Sequence, residues 1–119
     1  MTLFPIPESP RIYIYAPAID FRLGINGLSA LVQASLQLDP MAPGLFVFRN
    51  KARNRIKILY WHKNGFCLWM KRLERHKFHW PHHTATCLEL SVSLLRLLLD
   101  GIDINVTQPH EALYYSRVA

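Results

Sequence analysis

Two periodicities divide the chain. "RIYIYA" (Arg11 to Ala16) alternates β-branched, aromatic and polar residues, which predicts a first strand. "FRLGINGLSALVQASLQ" then places Phe21, Ile25, Leu28, Leu31, Val32 and Leu36 three and four residues apart, the apolar stripe of an amphipathic helix. Asp20 stands where a carboxylate can accept the free N–H groups of a first helical turn. Gly24 and Gly27 inside that pattern suggest close approach of another backbone, or an irregular first turn. "DPMAPG" ends the helix.

Strand-like runs follow. "LFVF" and "RIKILYW" are separated by "RNKARN", and "GFCLWMKRL" follows "HKNG", whose Asn64-Gly65 pair marks a tight hairpin turn. "KFHW" reads as a further short strand closed by Pro81. Along "RIKILYW", Ile56, Ile58 and Tyr60 share one face, and Arg55, Lys57, Leu59 and Trp61 the other. "CLELSVSLLRLLLDGID" returns to helical spacing through Leu88, Val92, Leu95, Leu98 and Leu99, and "DG" stops it. The expected architecture is α+β: a mainly antiparallel sheet of four to five strands, with two helices packed on one face. Residues 1–10, with three prolines, read as an extended leader, 11–103 as a single domain, and 104–119 as a tail or docking arm.

A chain of 119 residues can bury a real core, and half of these residues are hydrophobic. No apolar run reaches the roughly 20 residues that a membrane-spanning helix requires, and "LSVSLLRLLL" is interrupted by Arg96. The first residues lack the basic start and apolar centre of a signal peptide, and the two cysteines form no disulfide framework. A cytoplasmic protein is therefore expected, with no membrane partner.

Charge changes the picture most. Of 14 Lys and Arg residues, ten lie between Arg49 and Lys77, accompanied there by one acid, Glu74. Within "FRNKARNRIKILYW" five cations fall at every second position. Such clustering is self-repulsive, and a polyanion is the partner that relieves it. The expected nucleic-acid-binding residues are Arg49, Lys51, Arg53, Arg55, Lys57, Trp61, Lys71, Arg72, Arg75 and Lys77. They would form a basic, aromatic sheet face, with cations on phosphates and Tyr60, Trp61, Trp69 or Trp80 as stacking surfaces. At least two of those four rings are expected in the core. A solvated hairpin that only aids solubility is the competing reading.

Catalytic chemistry finds little footing. Two-metal strand transfer needs converging carboxylates, and Glu8, Asp20, Asp39, Glu74, Glu89, Asp100, Asp103 and Glu111 show no such spacing. His79, His82, His83 and Cys87 are permitted zinc ligands, yet they match no standard finger. No enzyme, no metal, no cofactor and no small-molecule substrate are expected.

The block "LFVFRNKARNRIKILYWHKNGFCLWMKRLERHKFHWP", with the earlier "DFRLGINGLSALVQ" and the closing "LLLDGID", resembles the small TnpB accessory protein of the sixty-six class of bacterial insertion sequences. It is distinct from the RNA-guided nuclease of the same name. The resemblance runs from Arg11 to Asp103. It implies a non-catalytic accessory protein for DNA transposition, with DNA as the expected partner. The alternative it leaves open is an adaptor that docks on the element's transposase. The family pattern matches Asp20, Arg22, Gly24, Gly27, Arg49, Asn50, Arg53, Arg55, Lys57 and Gly65, and further on Lys71 to Glu74, Trp80 and Pro81. The chain departs from it at Asn54 and His62, where the pattern has Asp, and at His76, where it has Gly.

Overall fold

The computed structural model describes residues 10–81, 85–107 and 114–117. Within them the chain runs β1 (Arg11–Tyr15), α1 (Ile25–Leu31) continuing as a wider π-helical turn (Val32–Leu36), β2 (Gly44–Arg49), β3 (Arg55–His62) and β4 (Gly65–Arg72). It continues through β5 (Cys87–Leu90), α2 (Val92–Leu99), α3 (Ile104–Thr107) and β6 (Tyr114–Arg117). The strands form one sheet in the order β4-β3-β2-β1-β5-β6. β1 and β2 are parallel, joined across α1, and every other neighbouring pair is antiparallel. The α+β class and the mainly antiparallel sheet are as expected. β6 lies in the stretch expected as a tail.

The two helices do not share a face. Ile12, Ile14, Leu45, Val47, Ile56, Ile58 and Leu88 pack under Leu94, Leu95, Leu98 and Leu99 of α2. Tyr13, Phe46, Phe48 and Leu59 point the other way, under Leu28, Val32 and Leu36 of α1 and its π-helical end. The reason lies in β1 and β2, whose residues are apolar on both faces, so that each face needs a cover. The second face is aromatic: Tyr13 stacks on Phe46 at 5.4 Å between centroids, and Tyr15 tilts against Phe48 at 6.0 Å.

Other local expectations shift. The apolar stripe of the first helix holds, from Phe21 through Leu36, but Asp20 is not its cap. Gly24 occupies that position in an extended conformation, and Asp20 instead organises the preceding turn by accepting the Arg22 backbone N–H at 3.0 Å. A side chain at Gly27 would meet Leu23 Cδ2 at 2.7 Å, so a side chain and not a backbone crowds it. Cys87–Leu90 is strand β5, not the start of a helix, and α2 begins only after Ser91, whose hydroxyl accepts the Leu94 N–H. The misreading arises because the strand is only four residues long and runs directly into α2, so that Leu88 continues the helical spacing of the leucines that follow. "KFHW" forms no strand.

"DG" stops α2 as expected. Gly101, at φ +81, donates its N–H to Leu98 O while Ile102 donates to Leu97 O, the paired bonds of a Schellman end. The β3–β4 hairpin has the two-residue loop Lys63-Asn64, with Gly65 already paired to His62.

Candidate functional site

The loop between β2 and β3 is built by one side chain. Asn50 Oδ1 accepts the backbone N–H groups of Asn54 and Arg55, both at 3.0 Å, and its amide nitrogen donates to Asn54 Oδ1 at 2.6 Å. Arg53, at φ 61, donates its backbone N–H to Asn50 O at 3.1 Å. The expected exposed connection between Asn50 and Arg55 is therefore present, and Lys51 and Arg53 stand out on it. Two backbone bonds then tie this loop to the segment after β4: Leu73 N to Asn54 O at 2.8 Å, and Phe78 N to Arg53 O at 2.7 Å. The loop and the 73–79 segment, distant in sequence, become one end of the molecule.

That end carries a groove of 620 Å³ lined by Arg53, Leu73, Arg75, His76, Lys77, Phe78, His79, Asp100 and Gly101. Arg53, Arg75 and Lys77 are exposed. His76 takes φ 68, a left-handed conformation that favours glycine. This accounts for the glycine expected at that position. His79 Nδ1 lies 3.7 Å from Asp103 Oδ2 at the far rim.

The remaining candidate residues divide. Arg55 is the direct β-ladder partner of Arg72, and Arg72 is held by Glu74 at 2.9 Å. Lys57 is occupied structurally: its ammonium donates to the carbonyls of Phe21 at 2.7 Å and Leu23 at 2.9 Å, and lies 4.4 Å from the Phe21 ring centroid. Burial pushes its pKa down, with Asp20 opposing. Lys71 donates to Leu99 O at 2.8 Å, capping the C-terminal end of α2 on the opposite face of the sheet. Arg49 donates to Ala16 O at 3.2 Å and lies over the Trp80 ring at 5.8 Å. Burial, and then the nearby Arg53, lower its pKa.

The expected aromatic sheet face is thus not formed. Tyr60 and Trp80 are core residues, Trp69 packs against the α2-side core, and Trp61 is half-buried in an edge-on contact with Phe66 at 5.0 Å. With a helix on each face, the basic residues can gather only at the end of the sheet. His76, Phe78, His79 and Asp100 are not among the expected nucleic-acid-binding residues. The one sequence signal for them was the departure from glycine at His76. Of the residues weighed for zinc, His82 and His83 lie outside the described residues. Among the described residues no three His, Cys, Asp or Glu side chains converge to hold a metal ion, and no helix is long and apolar enough to cross a membrane.

Residues 10–109 match the family model described as IS66 Orf2 like protein. The chain belongs to the IS66 Orf2-like family. Two similar proteins come from Sinorhizobium fredii (strain NBRC 101917 / NGR234). The uncharacterized protein y4hO is 35% identical over 101 residues, 85% of this chain and 88% of that protein. The uncharacterized protein y4jC is 40% identical over 93 residues, 78% of this chain and 80% of that protein. No solved structure matches. The matched residues of this IS66 Orf2-like chain contain the whole groove and both segments that build it. Family membership connects the chain with an insertion sequence and an accessory role in its transposition.

Proposed function

We propose that the protein serves transposition as a non-catalytic accessory factor that binds nucleic acid through the basic end of its sheet. The observation carrying this reading is the joining of two cationic segments, Lys51 to Arg55 and Arg72 to Lys77, by the bonds Leu73 N to Asn54 O and Phe78 N to Arg53 O. Lys51, Arg53, Arg75 and Lys77 are exposed there. Cations held together on a folded surface repel one another, and a phosphate backbone removes that cost while releasing its own counterions. The half-buried rings leave little stacking surface, so binding rests on phosphates and is weakly selective for sequence.

The test is a titration of a labelled duplex and a labelled single strand at two salt concentrations, with the wild type and an Arg53→Glu/Lys77→Glu double variant. Binding at low salt that weakens steeply with salt, and is lost in the variant, is expected. Absence of binding to either probe at low salt overturns the reading. Nuclease-resistant co-purification with the element's transposase, lost in the double variant, would then assign the same basic end to a protein partner.

A further inference from the structure

The groove contains one residue that a phosphate-binding surface should not contain. Asp100 lines it together with Arg53, Arg75 and Lys77. Its carboxylate makes no ion pair with them within 4.0 Å and accepts no hydrogen bond among the described residues, although its backbone N–H is used in ending α2. Against a bare phosphate backbone this acid is repulsive. Against a ligand that carries both an anion and N–H donors, it is an acceptor in place. The groove has an apolar wall as well, in the half-buried Leu73. Its 620 Å³ falls within the range of pockets that enclose small molecules.

We infer that this groove is a nucleotide subsite, which takes one unstacked nucleotide at the end of a strand: cations on the phosphate, Leu73 against the base, and the Asp100 carboxylate accepting from a base amino group. Thymine has no exocyclic amino group, whereas cytosine, guanine and adenine do. A carboxylate accepting from cytosine N4 is an established pairing of this type. The inference rests on the nucleic-acid reading and adds to it a preference for strand ends over continuous duplex.

The experiment compares one duplex in three forms: blunt, with a short overhang ending in cytosine, and with the same overhang ending in thymine. The cytosine overhang is expected to bind on the order of tenfold more tightly than the thymine overhang, the discrimination typical of one good base contact. In Asp100→Ala that ratio should collapse towards one, while blunt-duplex affinity rises because an acid has been removed beside phosphates. If the acid only repels, its removal would instead raise all three affinities alike and leave the ratio unchanged, overturning the inference. Displacement of the cytosine overhang by free dCMP but not by inorganic phosphate is the supporting measurement that needs no variant. Equal displacement by both overturns the subsite. Binding of the three duplex forms with equal affinity sinks this inference alone, whereas no binding to any of them removes the nucleic-acid reading as well.

Discussion

Arg55 and Arg72 face each other directly across the β3–β4 ladder, two like charges on the same face of the sheet. Like charges in this position weaken a hairpin, and the Arg72 to Glu74 pair at 2.9 Å offsets only part of it. Such a pair costs the hairpin stability, and the proposed binding of an anionic partner would relieve it. Arg55→Glu should therefore move stability and binding in opposite directions. Urea unfolding should show a gain of about 0.5 kcal/mol as a cross-strand ion pair replaces the repulsion, while nucleic-acid affinity falls. A loss of both together would show that Arg55 supports the fold in another way.

Lys57, Lys71 and Lys77 look equivalent as charges but should behave differently. Lys57→Met leaves the carbonyls of Phe21 and Leu23 without their donor and should cost about 2–3 kcal/mol. Lys71→Gln removes the donor to Leu99 O at the end of α2 and should cost about 1–2 kcal/mol. Neither should alter the dependence of binding on salt. Lys77→Gln should leave the urea midpoint in place and lower the slope of log affinity against log salt by about 0.9, one phosphate contact. The check is to measure midpoints and salt slopes side by side for the three variants.

Asp20 should contribute a distinct acid limb. The Arg22 side chain and then the Arg22 backbone N–H hold its carboxyl down at about 2, against an ordinary value of 3.8. Because the folded value lies below the unfolded one, the stabilisation is complete above about pH 4 and is lost as pH falls towards 2. In Asp20→Asn the drop in urea midpoint between pH 5 and pH 2.5 should be smaller than in the wild type. The other carboxylates act in both proteins and cancel in the comparison. An identical drop would mean that the Asp20–Arg22 fork contributes nothing in solution.

His76 holds a left-handed backbone at φ 68. Glycine adopts this region freely, whereas a side chain there costs roughly 1 kcal/mol or more, partly offset by the greater freedom of glycine in the unfolded chain. His76→Gly should thus raise stability by about 0.5 kcal/mol, read as a higher urea midpoint with an unchanged slope. A lower midpoint would mean that the imidazole makes a stabilising contact at the groove.

The sequence by itself determined β1 to β4, the hairpin turn, the exposed connection between Asn50 and Arg55, the apolar stripe of α1 and the glycine stop of α2. Each is set by neighbours within a few residues, through side-chain periodicity or turn chemistry, and such signals survive without knowledge of the rest of the chain. β5 escaped because it is only four residues long and Leu88, continuing into the leucines of α2, imitates a helical stripe. Only the tertiary structure decided which cations are free. Lys57 and Lys71 are spent on carbonyls 34 and 28 residues away, and Arg49 on one 33 residues away. A long flexible cation has no local signature that separates a helix cap from a phosphate ligand, since its role is fixed by whichever carbonyls the fold brings within reach. The same long-range packing put a helix on each face of the sheet, because β1 and β2 are apolar on both sides. It thereby moved the basic surface from the sheet's face to its end, where Asp100 joins it.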